Sequence, residues 1–134
     1  VCNINCGFGG GASKNHETQG GTNGNPQGRI ALTSPAGSDF DMCVYLQCAV
    51  GGESPSSVNW FIGGNSNYTN STMSIDGRNL DGRCYNKSGV TDIEFHPNCP
   101  SQNDTTRAWV RVFDNTNNAR CNAPYRLDWG NDLD

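Results

Sequence analysis

From Asp39 to Gln47 the chain alternates. Phe40, Met42, Val44 and Leu46 fall on one side, and Asp41, Cys43, Tyr45 and Gln47 on the other. A period of two is the signature of a strand with one buried face. Arg29 to Ser34 reads as the strand before it, stopped by Pro35-Ala36-Gly37, and Val58 to Ile62 as the strand after, ended by Gly63-Gly64. Val90 to Phe95 carries Val90, Ile93 and Phe95, and Pro97 is expected to stop it because proline cannot donate to a ladder. Ala108 to Phe113 is aromatic and β-branched, the strongest strand signal in the chain. A turn cluster over Asp114–Asn118 separates it from Tyr125–Trp129, where Tyr125, Leu127 and Trp129 share a face. Residues 63–89 read as a long polar excursion, with at most a short strand at Met73–Ile75. No segment has the length and periodicity of a helix, and no internal repeat is visible. Short strands between Gly, Pro and Asn turns predict an antiparallel β-sandwich.

Residues 1–28 differ from this pattern. They hold eight of the 17 glycines and few large apolar side chains, namely Val1, Ile4 and Phe8. Their spacing is nominally helical, but the glycines remove the propensity. The segment reads as a Gly/Asn-rich amino-terminal arm, pinned near its start by Cys2 and Cys6, in front of a sandwich domain over 29–134. Ordering so many glycines costs roughly 1–2 kcal/mol per residue. That cost predicts that the arm gains backbone partners, and a sheet edge on a neighbouring subunit would provide them.

Composition narrows the class. The chain has 134 residues, one domain's worth, with 34% hydrophobic and only 16% charged positions. Three Trp, four Tyr and five Phe argue against disorder. The net charge is −4, and Lys14 and Lys87 are the only lysines. A phosphate-binding surface, and with it nucleic acid or anionic membrane as a partner, is not expected. No apolar run reaches the roughly 20 residues a membrane helix needs.

Seven cysteines stand at positions 2, 6, 43, 48, 84, 99 and 121 (Cys2, Cys6, Cys43, Cys48, Cys84, Cys99, Cys121). They lack the C-x₂-C spacing of zinc and redox sites. Disulfides in an oxidising compartment are the simpler reading, with one thiol left free or bonded to another chain. The Val-Cys-Asn start reads as a mature product after signal removal. Cys99 and Cys121 bracket the Trp109 strand, so a bridge between them is one expected pairing.

Ile30-Ala-Leu-Thr-Ser-Pro-Ala-Gly-Ser-Asp-Phe-Asp-Met-Cys-Val-Tyr45 resembles the centre of the bacterial pre-peptidase C-terminal domain, with its strand, Gly turn and Asp-apolar-Asp-apolar strand ending in Tyr. Arg107–Phe113 followed by Ala123-Pro-Tyr-Arg-Leu-Asp-Trp129 resembles that family's closing hairpin. The family is similar in fold to the collagen-binding modules of clostridial collagenases. The resemblance implies a jelly-roll-like sandwich without catalysis, appended to secreted or surface proteins. It spans residues 29–130 at its two ends, with a poorly matching middle. The Gly-rich arm, the seven cysteines and the lack of an accompanying protease depart from the family.

Candidate chemistry is sparse. Gly7-Phe-Gly9-Gly-Gly-Ala12 fits a dinucleotide fingerprint only formally, since no strand precedes it and glycines follow. Neither His16 nor His96 has a neighbouring nucleophile motif. A chance pair among 13 acids does not make a glycosidase. Asp39 and Asp41 share a strand face at its mouth and form a candidate calcium site, completed by carbonyls or by Asp128; some relatives implied by the resemblance bind calcium. Asn67, Asn70, Asn86 and Asn103 begin N-glycosylation sequons, all expected in loops. Trp109 and Trp129 are expected in the core, whereas Tyr68 and Tyr85 are the candidate ligand contacts.

These features point to a non-catalytic extracellular structural or adhesive subunit. It would self-associate through its arm, as in a filament or surface assembly, or anchor to a surface polymer. The alternative is a calcium-aided binding module for polysaccharide or fibrous protein. A small secreted hydrolase is the distant third.

Overall fold

The structure is a computed structural model and describes residues 14–18, 28–61, 63, 67–86, 90–100, 106–114 and 125–130. Its regular elements are all strands: β1 Lys14–Thr18, β2 Gly28–Thr33, β3 Phe40–Cys48, β4 Ser57–Phe61, β5 Tyr68–Ile75, β6 Arg78–Tyr85, β7 Val90–Asn98, β8 Thr106–Asp114 and β9 Arg126–Gly130. One sheet has the order β1-β8-β3-β6-β5 and the other β4-β7-β2-β9. Every pairing is antiparallel.

The topology is a long antiparallel pair rolled up. The pairs β2:β9, β3:β8, β4:β7 and β5:β6 nest one inside the next and alternate between the two sheets. Cross-pairings β2:β7 and β3:β6 fuse them. This is a jelly-roll-like β-sandwich. The core forms where the inward positions of both sheets meet: Ile30 and Leu32, Phe40 to Leu46 in steps of two, Trp60, Tyr85, Ile93, Phe95, Ala108, Val110 and Val112.

Strand β3 departs from the one-faced expectation, because all nine of its residues are buried. Its outer positions Cys43 and Tyr45 join Leu80 in a second apolar cluster, bordered by Met73, Ile75, Cys84, Trp109 and Phe113. The polar outer positions are used rather than solvated. Gln47 accepts a 2.9 Å bond from the Trp109 indole and donates one to the Gly52 carbonyl. Tyr45 lies across Gly82 so that its hydroxyl reaches Ser71 Oγ at 2.9 Å. A Cβ at Gly82 would overlap the Val44 carbonyl and the Tyr45 ring, which is why this strand interior holds glycine.

Two disulfides fix β3. Cys43–Cys84 links it to β6 at a directly opposed pair, and Cys48–Cys99 links its end to the residue after β7 in the other sheet. Cys99 is therefore not joined to Cys121. Strands β8 and β9 lie in opposite sheets and form no closing hairpin, so there is no hairpin base for that bridge to staple. Cys2, Cys6 and Cys121 lie outside the described residues.

Four other expectations change. The polar excursion contains a full hairpin, β5–β6. Pro97 is inside β7, not beyond it. At that point β7 pairs only with β4, the β2 ladder having ended at Phe95, so Pro97 needs no second ladder bond. Trp129 shares the inward side of β9 but is 40% exposed, since β9 is an edge strand. Within the arm, Lys14–Thr18 pairs with β8 of its own chain instead of a neighbour's edge.

Gly82→Ala is expected to destabilise the fold by roughly 2–4 kcal/mol, measured by urea unfolding, because neither the Val44 backbone nor the packed Tyr45 ring can withdraw. Replacing Cys48 and Cys99 with serine opens a 51-residue separation and should cost about 2–4 kcal/mol in the same assay.

Candidate functional site

The β5–β6 hairpin is built by a two-residue turn. Asp76 and Gly77 both have positive φ, 51° and 77°, the type I′ geometry that Asp-Gly favours and that matches strand twist. The hairpin carries its polar positions outward at the lateral mouth of the sandwich, where edge strands β4 and β5 leave the two sheets open. A cleft of about 200 Å³ lies there, lined by Ser54, Ser57, Trp60, Asn70, Asp81 and Arg83 among others. A shallow polar strip of Asn70, Ser71, Thr72 and Asp81 continues it along β5. A second hollow of about 460 Å³ is lined by Asp41, Asn67, Tyr68, Tyr85, Asn86 and Phe113. The cleft wall is tied down where Ser54 Oγ accepts a 2.8 Å bond from the Asp81 amide.

Arg83 is the centre of the mouth. Its guanidinium carbon lies 3.7 Å from the Tyr68 ring centroid and 4.9 Å from that of Trp60. Such a cation over two ring faces gains from both quadrupoles and becomes fixed in orientation. Behind it the rings form a chain: Tyr68 to Tyr85 at 6.4 Å, Tyr85 to Trp60 at 6.3 Å, and Trp60 to Phe95 at 5.8 Å. The mouth is therefore an extension of the aromatic core to the surface. Tyr68 is its exposed end, at 37%.

Tyr85 is not an exposed contact. It is 2% exposed and belongs to the core. In β6 its side chain points between the sheets, alternating with Cys84 on the outer face. Burial pushes its phenol up to about 12, an effect that the neighbouring Arg83 charge partly offsets. Tyr125, which packs on Phe40, is shifted upward for the same reason.

Of the candidate calcium ligands, Asp128 lies apart from Asp41. Asp41 alternates with core residues of β3 and so faces the outer side of its sheet, 3% exposed. Asp128 is opposite Ala31 on the outer side of the other sheet and pairs with Arg126 at 2.8 Å. The whole thickness of the sandwich lies between them, with sheets typically about 10 Å apart. Among the described residues no three His, Cys, Asp or Glu side chains stand close enough to hold a metal ion.

His96 Nε2 lies 2.9 Å from Glu94 Oε1, and its ring packs at 4.6 Å against Phe61 on the outer face of β4–β7. Arg29 makes two bonds to Asp92, 3.0 and 2.7 Å, on the same face. Of the sequons, Asn67 and Asn86 flank the open end of the hairpin, joined by an Asn86 N–H to Asn67 carbonyl bond of 3.3 Å. Asn70 is on β5 itself and not in a loop, and it lines the cleft. All three are exposed, and Asn103 lies outside the described residues. Trp60, Arg83 and Asp81 were not legible as site residues. The only available signal was the Asp76-Gly77 turn, which pairs Arg83 with Asn70.

No protein-family model, curated protein or solved structure matches this chain.

The Tyr85 shift sets a pH dependence. The folded phenol holds its proton to about pH 12, while the unfolded one releases it near pH 10. Below pH 10 there is no effect. Between pH 10 and 12 the unfolded state binds fewer protons, so stability falls, by roughly 2–3 kcal/mol in total. Tyr85→Phe should remove that part of the alkaline loss in denaturation curves taken across this range.

Proposed function

We propose that this chain is a non-catalytic, extracellular adhesive module that anchors to a polysaccharide through the β4/β5 mouth. The observation that carries the reading is the Tyr68–Arg83–Trp60 stack beside a polar cleft. A pyranose ring has an apolar C–H face and a hydroxyl rim. An exposed aromatic face with amide, carboxylate and guanidinium groups around it suits both. Asn70, Asp81 and Ser54 provide the polar groups, and the stack holds Arg83 still, so that little side-chain entropy is lost on binding.

Two disulfides within the chain support an oxidising compartment. The resemblance of 30–45 and 107–129 to pre-peptidase C-terminal domains supports an accessory, non-catalytic role. Assembly through the arm is the weaker reading, because β1 occupies the β8 edge within its own chain. A glycan on Asn70 would project into the cleft, so modification there and capture of an outside chain exclude each other.

Affinity electrophoresis and pull-down on a panel of soluble and insoluble polysaccharides test this. Binding of at least one polymer is expected, and Tyr68→Ala should weaken it about tenfold while the chain remains folded by circular dichroism, a typical loss for an aromatic anchor. Undiminished binding by Tyr68→Ala would place the site elsewhere. Binding to none of the panel would remove the polysaccharide reading.

A further inference from the structure

Among the described residues the sandwich has four lateral edges, and they are not alike. Strand β1 has five residues and includes Lys14, His16 and Glu17. Strand β9 has five and carries the Arg126–Asp128 pair. Strand β4 is also only five residues long. Short length and charge are the usual protections of an open edge. Strand β5 has neither: it runs for eight residues, Tyr-Thr-Asn-Ser-Thr-Met-Ser-Ile, without a charge or a proline.

The hairpin register identifies which of its backbone groups are open. A two-residue I′ turn makes Ile75 and Arg78 a hydrogen-bonded pair, and bonded and non-bonded pairs then alternate. Met73, Ser71 and Thr69 bond toward β6, while Ser74, Thr72, Asn70 and Tyr68 direct N–H and C=O away from it. The opposite side of β6 agrees. Cys84 is in a bonded pair with β5, so it must be in a non-bonded pair with β3. Its Cα lies 3.9 Å from that of Cys43, the close approach of a non-bonded pair.

We propose that β5 is a self-association edge on which a second copy of this chain adds its own β5, antiparallel, about a two-fold axis at Ser71. In this register Asn70 faces Thr72 of the other copy and Tyr68 faces its Ser74. Every outward group then has a partner, giving about eight backbone hydrogen bonds. The strand is uncharged, so two copies meet without like charges opposed, although each carries a net −4. Any extended segment could pair with the backbone of this edge, but a second copy brings an equally long, uncharged strand whose register is matched by symmetry. The axis is normal to the sheet, so the two lateral clefts face each other across it and form one trough, with Trp60, Tyr68 and Arg83 on each bank. Two linked sites would raise the avidity of the polymer binding proposed above, but the pairing itself does not rest on that reading.

A single strand pair buries little area, so the dimer is weak and concentration-dependent. Sedimentation equilibrium of the full chain from micromolar to millimolar concentration should show a monomer–dimer equilibrium. Thr72→Pro removes an outward donor and no β6 bond, so it should leave the melting temperature unchanged and shift the dimerisation midpoint tenfold or more. Thr72→Lys keeps the backbone and should act in the same direction. Ser71→Cys should form a covalent dimer under mild oxidation, above the background of the wild type, while Ser74→Cys should not. A wild type that stays monomeric to millimolar concentration overturns the proposal, as does a dimer indifferent to both Thr72 variants or a dimer in which Ser71→Cys does not cross-link. Polymer binding by a strict monomer would separate this failure from that of the site.

Discussion

Burial of β3 on both faces is the constraint from which the rest follows. A strand buried on one face needs only an opposing sheet. A strand buried on two needs cover on its outer side as well, and this one has polar residues there. Gln47 and Tyr45 are accommodated because each has a designated partner, Trp109 and Ser71. The second partner requires Gly82, and Gly82 sets the path of β6 against β3. The β5–β6 hairpin is therefore positioned by packing on the outer face of the sheet, although the side chains proposed to bind face the other way. Both disulfides attach to the same strand, one within the sheet and one across to the other sheet.

This arrangement backs the mouth between β4 and β5 with packed side chains. The aromatic chain from Phe95 through Trp60 and Tyr85 to Tyr68 runs from the centre of the core to the surface. Arg83 completes it as a cation clamped over two rings. A binding site there, as proposed, draws on side chains already held by packing, which keeps the entropy cost of binding small. The charge pairs on the outer face of the other sheet, Arg29–Asp92 and Arg126–Asp128, have a different character. Arg29–Asp92 is part-buried and doubly bonded, whereas Arg126–Asp128 is exposed.

The sequence made most of the framework legible, because alternation with β-branched and aromatic residues marks a strand wherever one face is buried. That held for β2, β3, β4, β7, β8 and β9. It failed for β5 and β6, whose residues are mostly polar since β5 is an edge strand on which only Ser71, Met73 and Ile75 are half-buried. Only Asp76-Gly77 signalled the hairpin, and a turn motif without flanking apolar alternation is a weak signal. Tyr68 was legible as an exposed contact. Tyr85 was not distinguishable from it, because both lay in what read as a loop, and pairing with β3 through Cys84 is what turns Tyr85 inward. Asp128 read as a partner for Asp41 because sequence does not reveal that β3 and β9 lie in opposite sheets of the sandwich. The Cys48–Cys99 bridge was hidden for a related reason: it crosses between sheets, and cross-sheet proximity depends on how the nested pairs roll up.

The claim on which the functional account depends is that the β4/β5 mouth binds the ligand. Backbone and indole chemical-shift mapping, with oligosaccharides of a polymer that the chain retains, tests it most directly. The account predicts that perturbations concentrate on Trp60, Tyr68, Asn70, Asp81 and Arg83, with the Trp60 indole shifting and the Trp129 indole on the far edge unmoved. Perturbations gathered on the outer face of β7 and β2, with the mouth silent, would contradict it.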